Sequence, residues 1–314
     1  MNIIALSNDT RLAMPSAVTI GCFDGVHRGH QRVVRLLTEQ ARLRGMVPTV
    51  ITFDRQPRQL FDPAFRPQLL STPQEKEACL KMLGVEQLVV LPFTKAMAAL
   101  PAETFMREVL VRQLNARLLL TGYDNRFGHD RSEGFDDYVR YGQQMGLEVL
   151  RGDVELIDGE TAVSSTVIRR MLTEEGRVDL MPEVLTRLYT LTGHVVRGEH
   201  IGHELGFPTA NLKPDCADKL TPAGGAYAVW ASLDGDDHRM PAMMNIGVRP
   251  TFEGHRTTLE VHILEEVGDI YGRQLTVAFV KRLRDERRFD SREALMMQLR
   301  HDREEAKRLL NTQL

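Results

Sequence analysis

The chain is short of the residues that would announce an unusual environment. Its 314 residues include three cysteines, Cys22, Cys79 and Cys216. They are odd in number and far apart, and they fit neither a disulfide framework nor a zinc or redox spacing, which points to a reducing compartment. No apolar run approaches the roughly 18 residues that span a bilayer. The opening segment MNIIALSNDTRLAMPS has neither a basic start nor a long apolar stretch, so no signal peptide is expected. An excess of one charge is also missing. The 40 basic and 43 acidic residues leave a net charge of −3, a balance that makes nucleic acid a poor default partner. Neither an internal repeat nor a low-complexity tract is present. The expectation is a cytoplasmic protein with no membrane and no nucleic acid among its partners.

What is present is ordinary globular material. A hydrophobic content of 42% and a charged content of 26% argue against disorder, and the length suits two domains. The first ~170 residues alternate short apolar runs (VTIGCF, VPTVITF, QLVVLPF, RLLLTG) with helical patterns. In the pattern from Gln31 to Arg44, Val33, Val34, Leu37 and Ala41 share a face and Gly45 is placed to stop the helix. Thr72, Pro73 and Glu75 read as cap, first position and capping-box partner of another helix, which Gly84 ends. Further helices are expected from about Ala102 to Leu114 and from Phe135 to Met145. Alternation at this spacing implies a parallel sheet with helices on both faces.

After Gly176 the pattern changes. GHVV, AYAVWASL, MMNIGV, TLEVHIL and LTVAFVKRL read as strands, with DGDDH (Asp234–His238) joining two of them as a hairpin connection. A helix follows from Asp290, which Asp290 and Glu293 are placed to cap. This half reads as a small antiparallel barrel with one C-terminal helix. The boundary is expected near Glu174–Glu183, giving domains 1–180 and 184–314.

GCFDGVHRGH (Gly21–His30) sits where a parallel strand hands over to a helix, the crest at which open α/β sheets bind ligands. Gly21, Gly25 and Gly29 allow close backbone approach. The helix start offers N–H groups to a phosphate, and His27 and His30 add two donors for charge developing in transfer. It is neither a GxGxxG fingerprint nor a Walker A loop. A bare HxxH reads equally well as a cap or a surface pair. The whole string, however, resembles the HxGH motif of the nucleotidyltransferase superfamily, in the form found in bacterial flavin-adenylylating modules. TGYDNRFGHD is similar to that family's second motif, with Asp124 at its acidic position and Phe127 and Gly128 at its F-G pair. AVSSTVIRR (Ala162–Arg170) resembles its SSTxxR signature. The chain departs from the family at Asn125, where phenylalanine is frequent. The resemblance implies that Gly21, Asp24, Gly25, Asp124, Ser164 and Thr166 contact ATP or its phosphates. His27, His30 and Arg169 would carry the catalysis, with Mg²⁺ offsetting charge.

In the second half GFPTANL (Gly206–Leu212) follows a glycine-bearing turn containing Gly198 and Gly202. Thr209 and Asn211 offer two neutral oxygens that suit Mg²⁺, although PTAN alone is a plausible loop. With MNIGVRPTFEG, TLEVHIL and DIYGRQLTVAFVKRLRDERRF it resembles riboflavin kinase from about Leu188 onward. That resemblance implies that Gly198, Gly202, Thr209 and Asn211 bind ATP, with Thr209 and Asn211 holding Mg²⁺. It makes Glu260 the base for the riboflavin hydroxyl and places Arg284, Glu286 and Phe289 near the flavin. On spacing alone Glu260 is a solvent-facing strand residue and RLRDERRF a solvated charged stretch. His203 replaces the family's usual arginine or lysine, and Ala226 its usual valine.

Both resemblances occur in the order used by bifunctional bacterial riboflavin kinase/FAD synthetases. They imply an α/β nucleotidyltransferase unit, a Rossmann-like parallel sheet with an HxGH motif, followed by a smaller antiparallel β-barrel with a C-terminal helix. The implied activity phosphorylates riboflavin to FMN and adenylylates FMN to FAD, with ATP as co-substrate. Two other readings stay open. One is transfer of a nucleotide to another phosphate acceptor. The other is a flavin- or nucleotide-binding regulator, against which the retained His27, His30, Arg169, Thr209, Asn211 and Glu260 count.

Overall fold

All five side chains of Ser16–Ile20 are buried, which only the middle of a sheet covered on both faces allows. In the computed structural model, which describes residues 1–123, 126–129, 132–153, 155–157, 161–197, 207–251 and 254–311, that strand is β2. Its sheet comprises β1 (Asn2–Ala5), β2 (Ser16–Ile20), β3 (Val47–Phe53), β4 (Gln87–Leu91), β5 (Ala116–Thr121) and β6 (Glu148–Arg151), in the spatial order β1-β4-β3-β2-β5-β6. Every pairing is parallel. Val18, Ile20, Ile51 and Leu119 face one hydrophobic cluster, and their chain neighbours Ala17, Val50, Leu118 and Leu120 face another. That is the period-two alternation of a two-sided sheet. Order reverses at β2, which pairs with β3 on one side and β5 on the other. A crevice at the carboxyl ends of these strands is the position where such sheets take ligands.

The helices of this unit are α1 (Arg28–Arg44), α2 (Pro57–Phe61), α3 (Pro73–Met82), α4 (Lys95–Ala98), α5 (Ala102–Phe105) and α6 (Phe135–Met145). Gly45 ends α1 in the left-handed region at φ 63, and Thr72 and Glu75 form the expected capping box on α3. The continuous helix expected from 102 to 114 is α-helical only over α5 and widens to a π-helix over Met106–Gln113. Ala102, Met106, Leu110 and Leu114, every fourth residue, are all fully buried. A strict four-residue repeat is met by more than 3.6 residues per turn. A two-stranded hairpin of β7 (Leu156–Ile157) and β8 (Thr161–Ala162) follows.

The chain forms two compact units, Met1–Ser165 and Thr166–Leu314. The division falls earlier than the change of sequence pattern near 174–183: the residues past Ser165 in α7 (Ser165–Thr173) and those of α8 (Met181–Leu185) group with the barrel. The Ala223 N–H donates to Leu172 O at 2.9 Å, and Gly176 lies against the Arg282 side chain.

The second unit is a closed barrel of β9 (Tyr189–Val196), β10 (Ala210–Pro214), β11 (Gly225–Leu233), β12 (Met240–Thr251), β13 (Gly254–Ile263) and β14 (Gln274–Arg284), ordered β10-β13-β12-β11-β14-β9. All its pairings are antiparallel. Tyr189, Tyr227 and Phe279 are fully buried, and the Tyr227 and Phe279 rings meet edge-on at 5.2 Å. Tyr227 donates to Ala223 O at 2.6 Å, and burial pushes its hydroxyl up to about 12. The alternate side chains Ala228 and Trp230 pack instead with Ala306 and Leu310 of α9 (Arg292–Asn311). The start of α9 is capped by Ser291, whose Oγ accepts from the Ala294 N–H at 3.1 Å. Asp290 and Glu293 were the expected caps, but Ser291 is the residue immediately before the first helical one, where a short oxygen reaches the free amides.

Candidate active sites

Between β2 and α1 the backbone turns through three positive φ angles, Phe23 (47), Gly25 (81) and Val26 (40). Glycine takes that region freely. Phenylalanine and above all the β-branched Val26 do so at a cost of about 1–3 kcal/mol each, so the surroundings must enforce the shape. Asp24 is 3% exposed and its carboxylate accepts from the Leu70 N–H at 3.0 Å and the Ser71 N–H at 3.1 Å. Ser71 Oγ accepts from the Gly25 N–H at 2.9 Å. Ser165 Oγ donates to Asp24 O at 2.9 Å.

His27 caps α1, its Nδ1 accepting from the His30 N–H at 3.4 Å. That assigns the ring proton to Nε2. The His27 and His30 rings stack with centroids 3.6 Å apart. A Cβ on Gly29 would come within 3.2 Å of the His27 ring, so the small residue between the histidines is what lets them stack. His30 Nδ1 is buried and makes no hydrogen bond among the described residues. Burial first, then the neighbouring His27 and the Lys76 ammonium, hold the His30 imidazole well below the ordinary histidine range. His30 therefore presents a neutral imidazole at pH 7.

Beside this turn lies a cavity of about 410 Å³ lined by Gly21, Cys22, Phe53, Phe93, Phe105 and Phe127 among others. Phe127 stacks on Tyr138 at 4.2 Å, and the Tyr138 hydroxyl donates to Phe127 O and accepts from the Phe127 N–H. Gly128, at φ 96, approaches Ala102 so closely that a Cβ would lie 2.9 Å from it. The F-G pair is thus fixed from both sides.

In the barrel, β10, β13 and β12 bring Asn211, Glu260 and Asn245 into one row. Glu260 is the direct partner of Asn211 across one pair and of Asn245 across the other. Directly opposed residues share a face of the sheet, here the one opposite the buried Leu259 and Val261. Glu260 is half-buried and lines a cavity of about 320 Å³ with Thr209, Asn245, Arg284, Glu286 and Phe289. Arg284 Nε donates to Asp302 Oδ2 at 2.9 Å, and Asp302 is 2% exposed. The guanidinium groups of Arg284 and Arg287 lie 5.6 and 4.8 Å from the Phe289 ring centroid. His262 sits on the same cavity, its Nδ1 2.7 Å from Pro208 O. Burial holds its imidazole below the ordinary range.

The expected residues divide accordingly. His27, His30, Gly21 and Gly25 meet in one turn, while Thr209, Glu260, Arg284, Glu286 and Phe289 meet on one cavity. Asn211 joins that group through its register with Glu260. The Asp24 carboxylate is engaged by two backbone amides and withdrawn from the surface, where it braces the turn. Ser164 and Arg169 are half-buried and Thr166 is exposed at the start of α7. Asp124, Asn125, Gly198, Gly202 and His203 lie outside the described residues. The sequence reading missed Ser71, Lys76, Ser165, Asn245, His262 and Asp302. Ser165, Asn245 and His262 stood inside quoted motifs, but their partners depend on register and on long-range contact.

The FAD synthetase family model matches residues 9–167 and the riboflavin kinase family model residues 185–310. Among curated relatives, the bifunctional riboflavin kinase/FMN adenylyltransferase of Escherichia coli K12 is 35% identical over 91% of this chain and 90% of its own length. The Pseudomonas fluorescens protein of the same description is 38% identical over 90% and 89%. That of Haemophilus influenzae is 32% identical over 99% of both. A solved structure titled as a macrolide-efflux protein from Streptococcus pneumoniae superposes with a TM-score of 0.88, at 32% identity, over 97% of this chain and 98% of that one. Among the described residues no helix of the present chain is long and apolar enough to cross a membrane.

Proposed function

The chain belongs to the bifunctional riboflavin kinase/FMN adenylyltransferase family, and we propose that the chemistry divides between two functional domains, residues 184–314 phosphorylating riboflavin and residues 1–180 adenylylating FMN. The protein is an ATP-dependent kinase and adenylyltransferase that makes FMN and then FAD. The observation that carries the division is the presence, in one chain, of a stacked histidine pair on a strand-to-helix turn and a carboxylate flanked by two asparagines on a barrel.

In the adenylyl-transfer unit an FMN phosphate oxygen attacks the α-phosphorus of ATP and pyrophosphate leaves. Such transfer depends on positioning and charge stabilisation and needs no covalent intermediate. His27 Nε2–H and the N–H groups opening α1 are the donors for the phosphates, with His30 neutral beside them. Gly21 and Gly25 let the backbone come close, and the aromatic cavity beside them suits the flavin ring. Ser165 opens α7, and the same helix carries Thr166 and Arg169, which with Ser164 are assigned to the leaving phosphates.

In the kinase unit Glu260 accepts the proton of the riboflavin 5′-hydroxyl as that oxygen attacks the γ-phosphorus of ATP, and ADP leaves. A base so placed contributes roughly 10²–10⁴ in rate. Arg284, Glu286 and Phe289 hold the flavin, with Asp302 fixing Arg284. Thr209 and Asn211 supply a hydroxyl and a carboxamide oxygen, two hard neutral donors. No cluster of three or more histidine, cysteine or acidic groups competes for a cation among the described residues. Such a pair fits Mg²⁺, which takes its other ligands from water and substrate phosphates. When bound, the ion would offset phosphate charge. The deciding experiment incubates the protein with riboflavin, ATP and Mg²⁺ and follows flavins by chromatography. Riboflavin passing to FMN and then FAD supports the division, and failure to convert supplied FMN removes the first site.

A further inference from the structure

The positive φ angles of Phe23 and Val26 require bracing from outside the turn, and one segment supplies most of it. Leu70 and Ser71 hold the Asp24 carboxylate, and Ser71 holds the Gly25 N–H. The same segment continues into α3, whose capping box fixes its first turn and points Lys76 back at the sheet. Lys76 Nζ donates to Cys22 O at 2.7 Å and lies 3.5 Å from Thr52 Oγ1, which itself donates to Cys22 O at 3.3 Å. Cys22 immediately precedes the left-handed Phe23. A cation half-withdrawn from water pays a desolvation cost that a purely structural contact to a carbonyl would not require, since a neutral hydroxyl already serves it.

We propose that Lys76 is a positioning residue for adenylyl transfer: its ammonium holds the Cys22 carbonyl, and with it the 22–26 turn, so that His27 and His30 keep the geometry that receives phosphates. Its charge has a second effect at the same place. The ionisable neighbours that act on His30 are the stacked His27 and Lys76, and Lys76 is balanced in turn by Asp24, the Cys22 thiol and Glu77. Lys76 helps keep the His30 imidazole neutral. The proposal rests on the reading of His27 and His30 as the phosphate-facing pair.

The test compares Lys76→Met, Lys76→Arg and Thr52→Val with the unaltered full-length protein. FAD formation from FMN, FMN formation from riboflavin and the NMR titration of the His30 ring are each measured. Lys76→Met is expected to lower kcat for FAD formation about 10- to 100-fold, the scale of a small misplacement of reacting groups. KM for FMN should stay within about two-fold, FMN formation should be unchanged, and the His30 titration should move up. Lys76→Arg should recover most of the rate, and Thr52→Val, which keeps the charge, should leave the His30 titration in place. Wild-type kcat and an unmoved His30 titration in Lys76→Met would overturn the proposal. If that variant also loses kinase turnover, Lys76→Gln, which keeps a donor without the charge, is read on the histidine titration by the same rule. A His30→Ala protein that still forms FAD overturns the reading of the histidines. One that loses FAD formation while Lys76→Met retains it overturns only the role of Lys76.

Discussion

Asn211 and Glu260 are direct partners across the β10–β13 pair, so the carboxamide and the carboxylate stand side by side on one face of the barrel. The strand register therefore sets the spacing between a group suited to the ATP–metal side and one suited to the acceptor hydroxyl. No loop has to close to bring these two together. Each site then has its own signature in mutational response.

Replacing Glu260 with glutamine keeps the shape and removes the base. FMN formation should fall by roughly 10²–10⁴, while FAD formation from supplied FMN should continue at the normal rate. Chromatography of both reactions on one preparation is the check. Equal loss of both activities in a folded protein would be incompatible with separate sites.

The reciprocal substitution is His30→Ala. Removing one charge-stabilising group should lower FAD formation by about 10²–10³ and leave FMN formation intact. FMN should then accumulate when riboflavin is the starting flavin. An unchanged yield of FAD would remove His30 from the chemistry.

Asp302→Ala leaves the Arg284 guanidinium without its carboxylate partner in a site where Asp302 is almost fully covered. Breaking a buried pair from one side costs about 3 kcal/mol. The urea midpoint should fall, and KM for riboflavin should rise more than kcat falls, because the arginine is released and not removed. A riboflavin KM equal to that of the unaltered protein would show that the pair does not serve the flavin.

Both His30 and His262 have folded-state pKa values depressed by burial. In the unfolded chain each titrates near 6.5. As pH falls through about 6.5 the unfolded state takes up protons that the folded state does not, so stability declines towards the folded pKa values and is flat above neutrality. Urea midpoints at pH 7.5 and pH 5.5 should differ, and His30→Gln should narrow the difference. Identical differences in the two proteins would count against a buried neutral His30.

Much of this architecture could be read from the residues. Alternating apolar runs located the sheet strands, and Thr72, Glu75 and Gly45 marked helix ends, because caps and periodicity are local properties. The histidine turn and the PTAN segment were likewise contiguous strings. The bracing role of Asp24 was not legible, because nothing local in the loop shows where its carboxylate finds partners. Only the 46-residue reach to Leu70 reveals that it is turned inward. Lys76 and Asp302 were invisible for the same reason. One lies a single residue past a capping box and the other inside the C-terminal helix, so their partners belong to the tertiary fold.

The sheet order has a consequence for synthesis. Among the described residues β1 pairs only with β4, and β2 pairs with β3 and β5. β1 must therefore wait for Leu91, and the histidine-bearing crest after β2 lacks its second flank until Thr121. At about 5–20 residues per second the interval from β2 to β5 is on the order of 5–20 s. Throughout it the apolar β2 has one open edge. A nascent chain stalled between these strands would expose the part of the protein best suited to pair with a neighbour, so slow translation there should favour aggregation more than slow translation through the barrel hairpins, whose partners follow one another in sequence.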